Sequence, residues 1–245
     1  MYIRTVSSSP NPWFEGAFGP DYGQVYPNRD LAEARSDARF LAGLGIQAPI
    51  LDLACGDGRH LAALAELGLP ALGLDLSPHR LAAAPAGLSI LRADHRHLPV
   101  GDGRLGTALL LFSSFGYAEE PAGDRAILAE VRRALSPGGQ LVLDQPDPGP
   151  LRRGLVPESV TRRGELVVRE RRRLTHQGRR VEKRVELEGP RGRRTWREDL
   201  ALYEREELEE LLVGAGLEPV GAWGSLDGAP VGPDSRRLVL LARRP

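Results

Sequence analysis

A short apolar segment followed by a turn of small residues carries the most direct chemical meaning in this sequence. It runs Ile50-Leu-Asp-Leu-Ala-Cys-Gly-Asp-Gly58, and a helical pattern begins directly after it. Small residues let the backbone approach a ligand closely, and the unpaired N–H groups at the start of a helix attract anionic or polar groups. The segment therefore predicts a ligand-binding turn between a strand and a helix. Gly56 is required there either for space or for a positive φ angle.

An acidic residue, Asp75, stands nineteen positions after Gly56, within Gly73-Leu-Asp-Leu-Ser77. A carboxylate at the tip of a second strand can accept both hydroxyl groups of a ribose. Together with the turn, it predicts an adenosine-type cofactor. The alternative is an ordinary turn followed by a solvated surface aspartate.

The elements that must hold these residues alternate between short apolar runs and helical stretches. This alternation predicts a parallel sheet covered by helices on both faces. Ser136-Pro-Gly-Gly139 is expected to end the fourth helix and to begin the fifth strand. We expect strands at 50–54, 71–74, 88–93, 105–112 and 140–143, and helices at 29–44, 61–67, 77–84 and 124–135.

The periodicity changes to two after Asp147-Pro-Gly-Pro150. Residues 180–187 place Val and Lys on one side and Arg and Glu on the other, which predicts an antiparallel strand with partners at 165–175 and 194–203. A helix at 204–216 and strands at 217–223 and 237–242 follow. We expect three parts: N-terminal cap helices at 1–45, a Rossmann-like core at 46–150 and 204–245, and an inserted antiparallel β subdomain at 151–203.

Composition limits the function classes. The chain has 245 residues, 41% of them hydrophobic, and 33 basic residues balance 33 acidic ones. Residues 151–197 carry a net charge of +10, but Arg alternates with Glu, which favours a solvated face with cross-strand pairs. We therefore expect no nucleic-acid partner. Because the sequence shows no long apolar run and no signal peptide, we also expect no membrane partner and a cytoplasmic location. Since Cys55 is the single cysteine, we expect no disulfide and no metal site. Whether the arginine-rich composition reflects heat adaptation stays open.

These motifs resemble those of the class I S-adenosylmethionine-dependent methyltransferases over nearly the whole chain. The resemblance implies S-adenosylmethionine as cofactor and a seven-stranded sheet of order 3-2-1-4-5-7-6 with the last strand antiparallel. Ala54 departs from the family's first motif because it replaces a glycine. The positions that match the cofactor motifs are Asp52, Ala54, Cys55, Gly56, Asp75, Leu76, Asp94, His95, Leu111 and Phe112.

Three further segments resemble a bacterial group of small-molecule methyltransferases with an antiparallel β insertion: Cys55-Gly-Asp-Gly-Arg-His60, Ser113-Ser-Phe-Gly-Tyr117 and Gly232-Pro-Asp-Ser235. This implies in-line methyl transfer to an N or O atom of a small-molecule acceptor. In the N-terminal segment, Tyr26 could face the sulfonium by cation–π attraction and Arg29 could hold the methionine carboxylate, or their segment could merely anchor a cap helix.

The candidates for a general base are Tyr117, His95 and His97, although each is also compatible with a packing or surface role. Three functional alternatives stay open. NAD could replace the methyl donor, but the third glycine of its fingerprint is replaced by Leu61. An RNA-directed methyltransferase could use the basic insertion, or a non-catalytic protein could bind the cofactor for an interaction. The acceptor, the methylated atom and the oligomeric state are not determined by the sequence.

Overall fold

The computed structural model of the protein describes residues 16–26 and 31–245. Within these residues, seven strands form a mixed sheet of order β10-β11-β5-β4-β1-β2-β3. Strand β11 is antiparallel to both of its neighbours, and the pairs along β5-β4-β1-β2-β3 are all parallel. The predicted fold class and strand order are confirmed. The strands of this sheet are β1 (Ile50–Leu53), β2 (Ala71–Asp75), β3 (Ile90–Arg92), β4 (Leu105–Leu110), β5 (Leu135–Pro146), β10 (Glu218–Trp223) and β11 (Arg237–Arg243).

Helices cover both faces of this sheet because its central strands are apolar on both sides. Every residue of β1 and β4 is buried. One core lies under α5 and α7 and the other under α2 and α3. The helices are α1 (Tyr22–Val25), α2 (Leu31–Gly43), α3 (Arg59–Glu66), α4 (Pro78–Ala82), α5 (Pro121–Ala134), α6 (Pro148–Arg153) and α7 (Arg205–Gly214).

The parallel register determines where a site can form. Asp52 of β1 is level with Gly73 of β2, and Asp75 at the end of β2 is level with Arg92 of β3. The carboxyl ends of β1, β2, β3 and β4 therefore lie along one edge of the sheet, where ligands of such sheets bind.

One local expectation was correct only in part. Ser136-Pro-Gly-Gly139 lies at the start of β5, as predicted, but helix α5 already ends before it, at Ala134. The pairing of β5 with β4 shifts register between Leu105 and Thr107. The segment Asp147-Pro-Gly-Pro150, after which the sequence periodicity changes, begins α6. Asp147 caps that helix by accepting the Gly149 N–H at 2.9 Å, and proline is well tolerated in a first helical turn.

A second sheet of four antiparallel strands, β6 (Glu158–Arg163), β7 (Leu166–Thr175), β8 (Arg180–Gly189) and β9 (Gly192–Ala201), follows α6. The three strands predicted here are present, and β6 was missed because its sequence, Glu158-Ser-Val-Thr-Arg-Arg163, is too polar to show a buried face. A short 3₁₀ turn, His176–Gly178, joins β7 to β8.

The outward face of the second sheet is a ladder of ion pairs. Glu186 is only 7% exposed and accepts from Arg193 at 2.5 Å. Glu182 pairs with Arg173 at 2.7 Å and with Arg197 at 3.4 Å. The alternation of Arg and Glu therefore produces cross-strand pairs, as expected. Among the helices of the described residues, none combines the length and the apolar character that crossing a membrane would need.

Candidate functional site

The turn between β1 and α3 departs from ordinary backbone conformation at three positions. Ala54, Gly56 and Gly58 have φ angles of 61°, 60° and 74°. The sequence offered two reasons for a glycine at position 56, space or a positive φ angle, and the structure shows the positive φ angle. Space is restricted as well, because a Cβ atom there would lie 3.2 Å from Nη2 of Arg80. A branched residue at position 56 would consequently strain the backbone in addition to filling the turn.

Asp75 lies at the tip of β2 beside this turn. One carboxylate oxygen accepts the Gly56 N–H at 2.9 Å, and the other accepts the Ser77 N–H at 2.7 Å. Burial raises the pKa of Asp75, and these two hydrogen bonds oppose that shift. A carboxylate offers about four acceptor positions, so each oxygen keeps the capacity to accept one more hydrogen bond. Two neighbouring hydroxyl groups match that remaining capacity.

Asp52, in β1, is the second acidic residue of this edge, and its side chain is 2% exposed. Its Oδ2 atom has no hydrogen-bond partner among the described residues. Burial raises the pKa of this carboxyl to about 6, although His60 and Arg59 act in the opposite direction. An unpartnered buried carboxylate oxygen is costly, and a cationic or hydrogen-bond-donating ligand group would relieve that cost.

Asp94 and His95 follow β3. Burial favours a higher pKa for Asp94, but the hydrogen bonds from Arg96 outweigh it and lower that pKa. The Arg96 guanidinium approaches the carboxylate to 2.6 Å. Burial lowers the pKa of His95 to about 4, so the imidazole is neutral near pH 7. We call residues 52–58, 75–77 and 94–96 the β1–β3 edge.

The tip of β4 is also strained, because Phe112 and Ser113 have φ angles of 53° and 65°. Asp144 of β5 is fully buried and accepts the Phe112 N–H at 2.8 Å and Nε of Arg237 at 2.7 Å. The guanidinium groups of Arg59 and Arg237 lie 4.1 and 5.3 Å from the centre of the Phe112 ring. Left-handed backbone costs about 1–2 kcal/mol per residue, and such strain clusters at functional sites.

A cavity of about 540 Å³ opens beside this tip, between the main sheet, α6 and the second sheet. Tyr117 lines it, whereas His95 and His97 are not among its lining residues. The chain segments that form the wall are far apart in sequence, which is why sequence reasoning identified few of them. The lining residues are Phe18, Tyr22, Phe112, Ser113, Tyr117, Leu151, Gly154, Leu155, Val156, Ser159, Arg172, Val181, Lys183, Glu198, Asp199 and Leu200. We call this space the large cavity.

Charged side chains of the second sheet form one wall of the large cavity. Lys183 donates to Glu198 at 2.7 Å, and its Nζ atom lies 4.5 Å from the centre of the Tyr26 ring. Tyr26 donates its hydroxyl proton to Glu198 at 2.6 Å, and burial strongly raises the pKa of this phenol. The sequence analysis missed Lys183 and Glu198. The signal was present, since Lys183 is the single lysine of the chain and stands on the otherwise apolar side of β8.

Residues 113–118, which we call loop 113–118, connect the two sheets. Ala201 donates its N–H to the Gly116 carbonyl at 2.9 Å, and Arg180 donates to the Ala118 carbonyl at 3.0 Å. Asp199 in turn accepts from Nε of Arg180 at 2.8 Å, and both side chains are about 15% exposed or less. On the other side, the fully buried Asp124 accepts the Gly116 N–H at 3.3 Å. Loop 113–118 is thus held between the second sheet and helix α5.

The remaining predicted positions have simple placements. Cys55 is buried and burial raises the pKa of its thiol, so this cysteine is not poised as a nucleophile. Leu76 follows β2 and accepts from Arg92 through its carbonyl at 3.1 Å. Leu111 is 4% exposed at the end of β4. Arg29 lies outside the described residues.

The fold and this edge define a class of protein. A seven-stranded sheet with a reversed last strand, an acidic residue at or just beyond the tips of its first three strands and a glycine turn after β1 are the features of a class I methyltransferase. Comparison with known proteins agrees, since residues 50–139 match the model of the methyltransferase domain family. This part of the chain is similar to that family, and the chain as a whole has the class I methyltransferase fold.

One curated relative matches over nearly the whole chain, and its name is that of an amino-sugar methyltransferase. The chain is 27% identical to a dTDP-3-amino-3,6-dideoxy-α-D-glucopyranose N,N-dimethyltransferase from Streptomyces fradiae, over 97% of this chain and 95% of that protein. An uncharacterized methyltransferase from Synechocystis is 34% identical, but the match covers 38% of this chain and 45% of that relative.

Solved structures give the same fold. The CcbJ methyltransferase from Streptomyces caelestis superposes with a TM-score of 0.79 at 22% identity, over 94% of this chain and 98% of that one. CalS10, an amino pentose methyltransferase from Micromonospora echinaspora solved with S-adenosylmethionine, has a TM-score of 0.64 at 29% identity, over 91% and 96%. Because the CcbJ methyltransferase is only 22% identical to this chain, its similarity shows the fold alone.

Proposed function

We propose that this protein is an S-adenosylmethionine-dependent methyltransferase that methylates an amino group of a small molecule. The observation that carries the proposal is Asp75, whose two oxygens each accept one backbone N–H and keep capacity for one hydroxyl each. The adenosyl ribose supplies two adjacent hydroxyl groups. The unpartnered oxygen of Asp52 supports the same cofactor, because the methionine portion carries an ammonium group.

The β1–β3 edge would hold the cofactor in three places. Asp75 would accept the ribose hydroxyls, Asp94 the adenine amino group, and Asp52 the methionine ammonium. The backbone of Ala54, Cys55 and Gly56 lies in the turn that the ligand must approach. Five further residues stay predicted cofactor contacts on the basis of the resemblance: Tyr26, Arg29, Leu76, Leu111 and Phe112.

S-adenosylmethionine supplies an electrophilic methyl group, so the chain's main task is to align the acceptor atom and keep water away. Precise alignment of this kind can contribute about 7–11 kcal/mol. Phe112, Ser113 and Tyr117, from the strained tip of β4 and loop 113–118, line the large cavity. The multiple hydrogen bonds of this tip and this loop suit a rigid positioning role.

An amine acceptor must lose its proton before it can attack, which requires a proton acceptor or bulk water. Tyr117 lines the large cavity, so it is the candidate we retain for contact with the acceptor. A histidine with a pKa of about 4, as for His95, is a weak base near pH 7. The role of His97 as a general base stays a prediction.

Nitrogen rather than oxygen is proposed as the methylated atom because the whole-length relative from Streptomyces fradiae is an N,N-dimethyltransferase and CalS10 is an amino pentose methyltransferase. Both proteins match more than nine-tenths of this chain. A cytoplasmic location remains a prediction from the sequence.

The test combines calorimetry and methyl transfer. We expect the protein to bind S-adenosylhomocysteine and to transfer labelled methyl groups from S-adenosylmethionine to amino sugars. Binding of NADH in place of S-adenosylhomocysteine would refute the cofactor assignment. Tight S-adenosylhomocysteine binding without transfer to any of a broad panel of amines would favour the non-catalytic alternative.

The RNA-directed alternative receives little support from the second sheet, because the arginines of its outward face are paired with Glu182 and Glu186. We expect only weak RNA retention at physiological salt. RNA binding through phosphates would fall by about one log unit per log unit of salt for each phosphate contacted. Selective binding at that salt, with methyl groups recovered on RNA, would reverse this assignment.

A further inference from the structure

The charged wall of the large cavity is internally neutralised. Among the residues that the structure describes, Arg172 and Lys183 are the two cations that line the cavity, and each has a carboxylate partner. Arg172 donates to Glu170 at 2.6 Å, and Lys183 donates to Glu198 at 2.7 Å. The four side chains are between 15% and 23% exposed. These are therefore largely buried pairs, in which removing the partner of either charge carries a high cost.

The cations next to the cavity follow the same rule. Arg180 donates to Asp199, which itself lines the cavity, at 2.8 Å. Arg237, beside Ser113, donates to Asp144 at 2.7 Å. Two of the cavity-lining residues are thus carboxylates, Glu198 and Asp199. An anion placed in this space would meet both of these negative groups and cations that already have partners.

Phosphate groups are bound most favourably by cations whose charge is not already neutralised. A nucleoside diphosphate in the large cavity would have to draw Arg172 or Lys183 away from its carboxylate and leave that carboxylate buried and unpaired. Hydroxyl groups impose no such cost. They donate to carboxylates and accept from guanidinium or ammonium N–H groups without changing the charge balance.

From this arrangement we propose that the acceptor is uncharged outside its reacting amino group: a hydroxylated amine, such as a free or glycosidically linked amino sugar, and not a nucleoside diphosphate sugar. This inference rests on the proposed methyltransferase function. It separates the chain from its Streptomyces fradiae relative, whose acceptor is named as a dTDP-linked amino sugar.

The first experiment compares two acceptors that share the same reacting amine. These are dTDP-3-amino-3,6-dideoxy-α-D-glucopyranose and the α-methyl glycoside of the same amino sugar. We expect kcat/KM for the glycoside to be at least about tenfold higher and nearly independent of salt, because screening acts on charged ligands. A higher kcat/KM for the dTDP-linked sugar overturns the inference, and so does transfer to neither compound by protein that binds S-adenosylhomocysteine. Failure to bind S-adenosylhomocysteine would instead refute the proposed function.

The second experiment releases cations of this wall. Glu170→Gln removes the partner of Arg172 at 2.6 Å and a more distant contact to Lys183 at 3.8 Å. It should shift the ratio of the two kcat/KM values about tenfold toward the dTDP-linked sugar, the size expected for one charge-assisted contact. Glu182→Gln is the matched control. It removes the same charge from the same sheet, but its partners Arg173 and Arg197 lie on the outward face.

An equal shift in both variants would mean that the overall charge of the sheet governs acceptor choice, and no shift in Glu170→Gln would mean that Arg172 does not contact the acceptor. Either result overturns the proposal that the charged wall of the large cavity selects the acceptor. Melting temperatures of both variants check the fold, and if Glu170→Gln does not fold, the comparison of the two acceptors with the unmodified protein decides alone.

Discussion

The β1–β3 edge and the large cavity adjoin each other, yet different kinds of chemical group form them. The β1–β3 edge uses backbone N–H groups and short acidic side chains from residues 52 to 96, such as the Gly56 N–H held by Asp75. The large cavity is lined by residues from Phe18 to Leu200. Its polar contacts are made by long charged side chains, such as Lys183 to Glu198.

This difference has a functional consequence. A site made of backbone groups at strand tips changes little when side chains are exchanged, so it suits a ligand that stays the same. A wall of paired long side chains can change its specificity through one or two substitutions. The predictions that follow test whether donor binding and acceptor binding are separable along this division.

The largest effect is expected for Asp75→Ala. The substitution removes two proposed hydrogen bonds to the ribose, each worth about 1.5–3 kcal/mol for a charged acceptor, and leaves the Gly56 and Ser77 N–H groups without their partner. Calorimetry should show S-adenosylhomocysteine affinity reduced by about 100-fold or more. Asp234→Ala, at a 99% exposed side chain, is the control and should bind normally. Unchanged affinity in Asp75→Ala would show that the ribose lies elsewhere.

Asp52→Asn is expected to separate stability from binding. The folded-state pKa of about 6 lies above the ordinary 3.8, so the unfolded chain ionises first and stability falls as pH rises from about 4 to 6. At about 1.36 kcal/mol per pKa unit, the cost reaches about 3 kcal/mol above pH 6. Asp52→Asn should recover much of this in urea unfolding at pH 7 while weakening S-adenosylhomocysteine binding.

The pH series provides the check on this interpretation. The difference in unfolding free energy between Asp52→Asn and the unmodified protein should be small near pH 4 and largest above pH 6. A constant difference across that range would mean that the carboxyl of Asp52 is not strained by burial.

Arg180→Ala tests the connection between the two sheets. Loss of its hydrogen bonds to the Ala118 carbonyl and Asp199 should loosen loop 113–118 and reduce kcat/KM for the acceptor about tenfold, the effect of one charged hydrogen bond. S-adenosylhomocysteine affinity should stay unchanged, and added guanidinium ion should restore part of the rate. Arg173→Ala, on the outward face, is the control. A parallel loss of donor affinity would contradict the separation of the two regions.

The smallest effect is expected for Ala54→Gly. Ala54 has a φ angle of 61°, which costs an L-residue about 1–2 kcal/mol, and glycine's extra chain entropy offsets about 0.5–1 kcal/mol of that cost. We expect a net stabilisation below about 1 kcal/mol and a melting temperature higher by at most about 4 °C. Ala62→Gly, in α3, should instead destabilise by about 1 kcal/mol. A destabilised Ala54→Gly variant would mean that the alanine methyl group packs usefully in the turn.

Much of the main sheet could be predicted from the sequence because its signals are local. A buried strand leaves an apolar run, and a turn with positive φ leaves glycine, so the sequence predicts β1, the turn at Gly56 and the acid Asp75. The strand order needed the family resemblance, since no local pattern records which strands are neighbours. Strand β6 and helix α6 were missed, because a polar edge strand and a helix that begins with two prolines within three residues have no apolar period.

The sequence by itself predicts which residues would hold the proposed cofactor, because the chemistry of a strand tip lies within a few residues of one glycine turn. Only the tertiary structure decided how the large cavity is charged. Lys183 stands out in the sequence as the single lysine, but its burial with Glu198, like that of Arg172 with Glu170, arises only in the folded structure. Burial then gives these pairs their effect on acceptor choice, because a charge withdrawn from water depends on the partner that the fold places beside it.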